Sequence, residues 1–192
     1  MTVITNAGGP GVITTDEIVT GGGQLAKISP EAMAEYNSFL PGAWSHNNPV
    51  DVLGDAPPAM YAKALKVAGD DKESDGMLVI LTPQSVTKPT ETAEELAKYA
   101  HIEGKPVMAS WMGGKDLEKG RAILRDSGIP VFDSPDMAAK IFNYCWAYSS
   151  NKEQMYEEPK APLHAADPSG AKKIIEKALE EGRTLLTENE SK

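Results

Sequence analysis

The most constraining feature of this 192-residue sequence is the alternation of apolar, strand-like runs with helix-like segments over residues 1–150. The run Gly76–Leu81 is apolar throughout, as expected for a parallel strand covered on both faces. Further strands are predicted at residues 2–5, 106–111 and 129–132, with helical periodicity between them. The sequence therefore predicts an α/β fold of three layers (α/β/α), an open, mostly parallel sheet of flavodoxin-like or Rossmann-like type with helices on both faces.

The first helix is predicted to follow Pro10 and to use Val12, Ile13, Ile18 and Val19 as its apolar side chains, because these residues recur at helical spacing. Three consecutive glycines then stop this helix. A short strand is expected at residues 24–28, and the long irregular connection at residues 42–56 is expected to be packed. Serine or proline residues suited to helix starts place further helices at residues 30–39, 58–68, 90–101 and from 134 onward. Another helix is predicted at residues 117–126.

The loop between the first strand and the first helix is the predicted binding surface. It contains Asn6, Ala7, Gly8, Gly9 and Gly11, and its three glycines let a ligand approach the backbone closely. The N–H groups from Gly8 to Val12 and the positive end of the helix dipole favour an anion such as phosphate or a carboxylate. The glycine spacing fits neither a Walker A loop nor a dinucleotide fingerprint. A tight turn whose glycines serve only packing is the alternative.

Three loops are expected at one edge of the sheet, because ligands of such folds bind outside the carboxyl ends of the strands. These loops cover residues 6–11, 82–86 and 111–114, and they are neutral and rich in hydrogen-bonding groups.

Composition limits the partners. A net charge of −9 and a pI near 4.9 argue against nucleic acid or an anionic membrane as a partner. A single cysteine, Cys145, rules out an internal disulfide and suits a reducing compartment. No signal peptide and no apolar run near eighteen residues is apparent, so a cytoplasmic location is expected.

The sequence changes character after residue 150. Residues 151–167 are charged and contain prolines, which predicts a linker, and residues 171–182 form an amphipathic pattern typical of a helix. We therefore divide the chain into a domain at residues 1–150 and an extension at residues 151–192.

The histidines give no catalytic or metal-binding pattern. His46, His101 and His164 are far apart in the sequence, with neither metal-ligand spacing nor a serine or cysteine partner arrangement. We therefore predict no catalytic residue and no metal site on this chain.

Four ordered motifs resemble those of the ADP-forming (NDP-forming) acyl-CoA synthetases, which are relatives of succinyl-CoA synthetase. The resemblance extends from Thr2 to about Tyr148, and the extension resembles the lead into the ATP-grasp domain of the same enzymes. The motifs are Thr5–Val12 with Asp16, Asn48–Ala56, Leu78–Gln84 and Lys105–Gly114.

The resemblance implies a reaction that converts acyl-CoA, ADP and phosphate to acid, CoA and ATP through an acyl phosphate and a phosphohistidine. In that family the phosphohistidine lies between the N-termini of two helices from different domains, and the stretch Asn6–Asp16 resembles one of them. The resemblance further implies that Asn6, Gln84 and Ser85 line the acyl or phosphate pocket. It implies that Asn48 and Asp51, together with Asp16, brace the site.

The chain also departs from the family pattern. It lacks the CoA-binding domain, the loop with the phosphorylated histidine and a complete ATP-grasp domain, and His46 does not stand in the phosphohistidine context. The resemblance thus implies a CoA-binding/phosphohistidine domain and an ATP-grasp domain as partners. CoA, ATP or ADP and Mg would bind to the full enzyme, with no cofactor on this chain alone, which we predict to be inactive.

Two other functions fit the sequence. One is a regulatory or binding module, as in the degenerate ligase part of some protein lysine acetyltransferases, and the other is a phosphate-binding or scaffold domain without chemistry. The sequence does not identify the acyl group, since acetate, larger acids and aryl acids would be distinguished mostly by parts of the pocket outside this chain.

Overall fold

A computed structural model describes residues 1–156 and 168–191. The chain divides into two compact units, Met1–Asn151 and Lys152–Lys192. Among the described residues, no helix has both the length and the apolar character needed to cross a bilayer.

The first unit is built on a five-stranded sheet in which every strand pair is parallel. The strand order is β2-β1-β3-β4-β5, so the chain reverses its direction across the sheet between β1 and β3. The prediction of an open, parallel α/β sheet of flavodoxin-like type is confirmed. The strands are β1 (Thr2–Thr5), β2 (Val50–Asp51), β3 (Met77–Leu81), β4 (Val107–Trp111) and β5 (Val131–Phe132).

Six helices accompany these strands, and four of them start with a proline, whose fixed φ suits the first helical turn. Ser29 shows how such a start is capped, because its side chain accepts a hydrogen bond from the Ala32 N–H at 3.1 Å. A short 3₁₀ helix, Lys115–Leu117, precedes the fifth. The helices are α1 (Gly8–Thr20), α2 (Pro30–Phe39), α3 (Pro58–Asp70), α4 (Pro89–Ala97), α5 (Glu118–Asp126) and α6 (Pro135–Gln154).

Two apolar clusters lie on the two faces of the sheet, because successive strand residues point to opposite faces. Val79 and Leu81 of β3 pack with α2, α3, α4 and α5, whereas Leu78 and Ile80 pack with Ile18 of α1 and with α6. The helices therefore form one layer on each side of the sheet.

The apolar side of α1 was predicted wrongly. Val12, Ile13 and Val19 are exposed, and the buried positions of α1 are Gly11, Thr14 and Ile18. Small residues face the sheet because the helix backbone approaches it closely: a Cβ on Gly11 would lie 3.3 Å from the Thr5 Cγ2. The helix also begins at Gly8, before Pro10 rather than after it.

Other boundaries differ as well. Residues 24–28 form no strand, although the Ala26 N–H donates to the Met1 carbonyl at 2.8 Å. The connection at residues 42–56 is packed as expected, with Trp44 and Val52 buried, but it also contains β2, which is too short to show an alternating pattern. Helix α4 ends at Ala97, four residues before the predicted end.

The second unit contains α7 (Pro168–Glu180), which covers most of the predicted amphipathic helix, and the short α8 (Glu188–Ser191). Arg183 pairs with Glu181 and Glu190 next to α8. Most of the predicted linker, together with His164, lies outside the described residues.

Candidate functional site

The candidate site lies at the carboxyl edge of the sheet, where β1 and β3 end side by side. Asn6, directly after β1, donates from Nδ2 to the Thr82 carbonyl at 2.8 Å and accepts the Thr82 N–H on Oδ1 at 2.9 Å. The loops after β1 and β3 are therefore joined at the point where a flavodoxin-like sheet binds its ligand. Because both polar atoms of the Asn6 side chain are engaged within the chain, Asn6 positions the loops.

The N-terminus of α1 has no side-chain cap. Ala7 is the N-cap in extended conformation (φ −150°, ψ 128°), and the first turn contains no acidic residue. A helix leaves its first four N–H groups without a partner inside the helix, and in α1 these are at residues 7–10. The Ala7 N–H donates to Thr5 Oγ1 at 3.1 Å, and Pro10 has no N–H group. The N–H groups of Gly8 and Gly9 remain, and neither has a partner among the described residues.

These two N–H groups are the unpaired donors of the helix end. Gly11 donates its N–H to the Ala7 carbonyl at 3.4 Å, and Val12 lies beyond the unpaired turn. The predicted set of donors from Gly8 to Val12 therefore narrows to Gly8 and Gly9. Two unpaired donors at the positive end of a helix dipole favour a phosphate or a carboxylate.

Asp51, at the end of β2, stands beside this helix end. Its Oδ1 accepts the Leu53 N–H at 2.9 Å, and its Oδ2 lies 4.0 Å from the place that a Cβ on Gly8 would take. The buried Tyr61 has a hydroxyl with no partner among the described residues. Burial, followed by the nearby charge of Asp51, raises the pKa of Tyr61 well above its usual value. The site thus pairs two N–H donors with one carboxylate.

A cavity of about 330 Å³ opens between α1 and the segment that leads into β2. Gly8 and Asp51 line this cavity, and so does Asp16. Asp16 is exposed and follows Gly8 by eight residues along α1. Eight residues of helix span about 12 Å, so the Asp16 backbone is well away from the N-terminus. The lining of the cavity also includes Thr5, Val12, Thr15 and Pro49.

The loop after β3 brings Gln84 to the site. Gln84 Nε2 donates to the Asn6 carbonyl at 3.3 Å, and its side chain occupies the space next to Gly54. Ser85, the next residue, is exposed, and the described residues give it no hydrogen bond. Gln84 is therefore brought to the site, whereas Ser85 lies on the outer surface of the same loop.

Asn48 lies apart from this group. Its Oδ1 accepts the Val3 N–H at 3.0 Å, and its Nδ2 donates to the carbonyls of Met1 and Ala26 at 2.9 Å each. Met1 and Val3 are at the beginning of β1, and Ala26 is bonded to Met1, whereas the N-terminus of α1 follows the end of β1. Asn48 thus fixes the segment before β2 against β1 and makes no contact with Gly8.

Sequence reasoning missed Arg121 of α5. Its guanidinium is buried and donates to the Trp111 carbonyl from Nε at 3.1 Å and from Nη2 at 2.6 Å, and to the Gly113 carbonyl at 2.9 Å. Glu118 pairs with the same side chain at 2.6 Å. Arg121 therefore fixes the third loop of the carboxyl edge. No local sequence signal identifies such a contact in advance.

The contacts of His46 are with residues of its own loop. Its ring lies 4.7 Å from the Trp44 ring, centroid to centroid, and its Nε2 is 3.2 Å from the Gly42 carbonyl oxygen. Over residues 1–156 and 168–191, no group of three or more His, Cys, Asp or Glu side chains is arranged to hold a metal ion.

Two curated relatives resemble this chain. The ADP-forming acetate–CoA ligase I of Archaeoglobus fulgidus is 34% identical over 188 residues, which cover 97% of this chain and 26% of the relative. Subunit alpha of the ADP-forming acetate–CoA ligase II of Pyrococcus furiosus is 36% identical over 145 residues, or 73% of this chain and 32% of the relative. The chain therefore spans about a quarter to a third of the relatives that it matches.

Solved structures agree with this similarity. The dinucleotide-forming acetyl-coenzyme A synthetase 1 of Ca. Korarchaeum cryptofilum, in complex with phosphate and ADP, superposes with a TM-score of 0.73 at 27% identity, covering 82% of this chain and 35% of that one. The apo form of the same protein gives a TM-score of 0.72. The family described as Ligase-CoA domain matches residues 1–153. The strand order, the glycine-rich start of α1 and this match together show that the chain belongs to the Ligase-CoA domain family.

Proposed function

We propose that this chain is the part of an ADP-forming acyl-CoA synthetase that supplies one helix N-terminus to the phosphohistidine site. The observation that carries the proposal is the pair of unpaired N–H groups on Gly8 and Gly9, at the uncapped start of α1. A helix end of ordinary stability has a Ser, Thr, Asp or Asn cap, which contributes about 1 kcal/mol. An Ala cap forgoes that contribution and leaves the donors open to a ligand.

The reaction that the family resemblance implies would make such an end useful. Phosphate attacks the thioester carbonyl of acyl-CoA, and the CoA thiolate leaves, which gives an acyl phosphate. A histidine imidazole then attacks phosphorus while the carboxylate leaves, and the phosphoryl group passes from histidine to ADP. The transferred phosphoryl group carries negative charge throughout. Donors already oriented toward it stabilise that charge without reorganisation, as in an oxyanion hole.

Asp51 suits a second role in this site. Its Oδ1 is held by the Leu53 N–H, while Oδ2 lies on the side of Gly8. A carboxylate here would repel a phosphate placed directly against it, but it would accept a hydrogen bond from the N–H of an imidazole. We therefore assign Asp51 to orienting the histidine of a partner domain and the α1 terminus to binding the phosphoryl group. Asn6 and Gln84 hold the loops that set this geometry.

The rest of the machinery would come from partner domains. The relatives are roughly two to four times as long as this chain, and one of them is a subunit alpha, which supports assembly with CoA-binding and ATP-grasp domains. The acyl group would then be selected largely by those domains, together with the cavity between α1 and Pro49.

Reconstitution tests the proposal. The purified chain should show no acyl-CoA-dependent ATP synthesis by itself, and turnover should appear when it is combined with the CoA-binding and ATP-grasp polypeptides encoded by the same genome. In the assembled enzyme, loss of the Gly8 N–H in Gly8→Pro should lower kcat about a hundredfold, as loss of one preset donor typically does. Gly42→Val is the matched control, because a Cβ on Gly42 meets no atom within 4 Å.

Three results would contradict the proposal. They are turnover by the chain alone, full turnover in the Gly8→Pro assembly, and radioactive phosphate from ATP on His46 of this chain. Assembly with both partners but without any turnover would instead support the regulatory module, as in a degenerate ligase.

A further inference from the structure

The cavity between α1 and the segment before β2 begins beside the proposed anion site and extends along the helix. Gly8, whose N–H is unpaired among the described residues, lines it, and so does Thr15, about two helical turns further along α1. Its volume of about 330 Å³ corresponds to about eleven water molecules at roughly 30 Å³ each. A phosphate ion would fill less than half of that volume. The cavity therefore has room for a further group that is joined to the anion.

The hydroxyl groups of the lining are engaged within the chain. Those of Thr5, Thr15 and Ser45 each donate to a backbone carbonyl two to four residues away, at 2.9, 2.9 and 2.6 Å. The Thr5 and Ser45 hydroxyls each also accept a backbone N–H, at 3.1 and 3.0 Å. Since Val12 and Pro49 add further aliphatic side chains, a ligand meets a mostly hydrocarbon surface. Such a surface favours an apolar group over a polar one.

Charge restricts the far end of the ligand. Asp16 and Asp51 line the cavity, and neither forms an ion pair with a described residue. None of the described residues of the lining is a lysine or an arginine. A second carboxylate on the ligand would therefore meet negative charge without a cation to offset it. A ligand with one anionic end and an uncharged chain suits both the helix end and the cavity.

We propose that this cavity takes the acyl chain of the acyl phosphate, and that it favours an aliphatic acyl group of about four to six carbon atoms without a second acid group. The inference rests on the proposed function, because a phosphoryl group bound at Gly8 and Gly9 is what brings the chain to the cavity. An acetyl group leaves most of the cavity to water, whereas a longer chain removes apolar surface from water on both sides. Thr15 and Asp16 are then the residues of this chain that limit acyl length and reject dicarboxylic acids.

Alkylphosphonates test the inference with the full chain, because they join a phosphate-like anion to an apolar chain and resist hydrolysis. Titrations followed by the backbone amide resonances compare inorganic phosphate, methylphosphonate, pentylphosphonate and a pentylphosphonate with a terminal carboxylate, at constant ionic strength. Pentylphosphonate should bind about tenfold or more tightly than methylphosphonate, since every CH₂ group that it buries adds affinity. It should shift the Thr15 amide, which the two short ligands leave unchanged. The terminal carboxylate should remove this gain in affinity.

Substitutions in α1 connect this preference to the cavity. Thr15→Phe places a ring in the cavity, so the preference for pentylphosphonate should disappear while inorganic phosphate still binds. Ile13→Phe is the matched control, because Ile13 is exposed on the same helix and does not line the cavity, and it should leave the preference unchanged. Asp16→Asn should improve the binding of the carboxylated ligand alone. Circular dichroism checks the fold of each variant, and the comparison of ligands on the unsubstituted chain decides the chain-length claim without any variant.

The outcomes separate this inference from the proposed function. Equal affinity for methylphosphonate and pentylphosphonate, an undiminished preference in Thr15→Phe, or tightest binding of the carboxylated ligand would each overturn the inference. Phosphate binding at Gly8 and Gly9, and with it the proposed function, would survive those results. Absence of binding by inorganic phosphate and by every phosphonate would instead contradict the proposed function and overturn the inference with it.

Discussion

Asn6 and Thr82 are joined by two reciprocal hydrogen bonds, of 2.8 and 2.9 Å, across the point where the loops after β1 and β3 diverge. This pair of bonds sets the distance between the start of α1 and the loop that holds Gln84. Since ligand contacts in a flavodoxin-like fold come from these two loops, the pair links the fold to the site.

Removing this link should affect both stability and anion binding. Asn6→Ala leaves the Thr82 N–H and carbonyl without their partner, and we expect the free energy of unfolding to fall by about 1–3 kcal/mol. Phosphate binding at Gly8 and Gly9 should weaken as well, because the loop is no longer fixed. Urea denaturation and amide chemical shifts during a phosphate titration measure the two effects.

Asn48→Ala is the matched control. Asn48 is also a buried asparagine bonded to backbone groups, those of Met1, Val3 and Ala26, so its loss should cost a similar amount of stability. Phosphate binding should be unchanged, because these groups are at the other end of β1. Equal weakening of phosphate binding by the two substitutions would contradict the separation of roles.

The two glycines around Pro10 should respond differently to added bulk. A Cβ on Gly11 would lie 3.3 Å from Thr5 and 3.4 Å from Pro49, so Gly11→Val should destabilise the protein by about 1–3 kcal/mol through overpacking. A Cβ on Gly9 meets no atom within 4 Å outside its chain neighbours. Gly9 precedes Pro10 within the helix, where a β-branched residue is disfavoured, so alanine is the suitable substitution. Gly9→Ala should therefore destabilise the protein less than Gly11→Val, and its added Cβ should obstruct an anion at the helix end. Thermal denaturation of both variants checks the order of stability, and a larger destabilisation by Gly9→Ala would refute it.

Two buried tyrosines give a second contrasting pair. The Tyr36 hydroxyl donates to the Ala64 carbonyl at 3.2 Å, whereas the Tyr61 hydroxyl has no partner among the described residues. Tyr36→Phe should lower the free energy of unfolding by about 1 kcal/mol, and Tyr61→Phe should leave it unchanged or raise it. Urea denaturation at pH 8 separates the two variants.

The same tyrosines predict a loss of stability at alkaline pH. Burial raises the pKa of both Tyr36 and Tyr61 above the usual value of 10.0. The folded protein therefore holds these protons more tightly than the unfolded chain, so their contribution is fully present below pH 10 and is lost as the pH rises toward the raised values. Tyr61→Phe should reduce this decline between pH 10 and 11, and an identical decline in that variant would count against the assignment.

The fold was predictable from the sequence to a large extent, and the reasons for the failures are physical. The apolar run of β3 and the glycine-rich start of α1 identify the sheet and its edge, because both patterns follow directly from backbone geometry. The prediction for Val12 and Ile13 was wrong because it was based on the spacing of apolar side chains. That spacing does not show that α1 packs through the small residues Gly11 and Thr14.

The site was predictable only in part. Asp51 Oδ2 lies beside Gly8, whereas Asn48, only three residues before Asp51, binds the start of β1. Two residues close in sequence do not share a site here, because the segment from Asn48 to Asp51 runs along β1 from its start toward its end. Anion binding by Gly8 and Gly9 stays a prediction. Arg121 could not be anticipated, since its role depends on backbone carbonyls that only the folded chain brings within reach.

Gly8 offers a direct way to delete one N–H donor without disturbing the helix. It is the first residue of α1, where proline is favoured, and the extended Ala7 has the conformation that a residue before proline prefers. Gly8→Pro should therefore keep the free energy of unfolding unchanged or raise it by about 0.4–1 kcal/mol. Gly8→Ala is the control that retains the N–H, and its Cβ would be in ordinary contact with Asp51, at 4.0 Å from Oδ2.

The most direct test of the central claim is a titration of these three proteins with inorganic phosphate, at constant ionic strength, followed by the backbone amide resonances. In the wild type and in Gly8→Ala, the Gly9 amide should shift and saturate with the same dissociation constant. In Gly8→Pro that constant should rise about tenfold or more, because a hydrogen bond to a charged group is lost while α1 stays intact. Equal phosphate affinity in Gly8→Pro and the wild type would contradict the account.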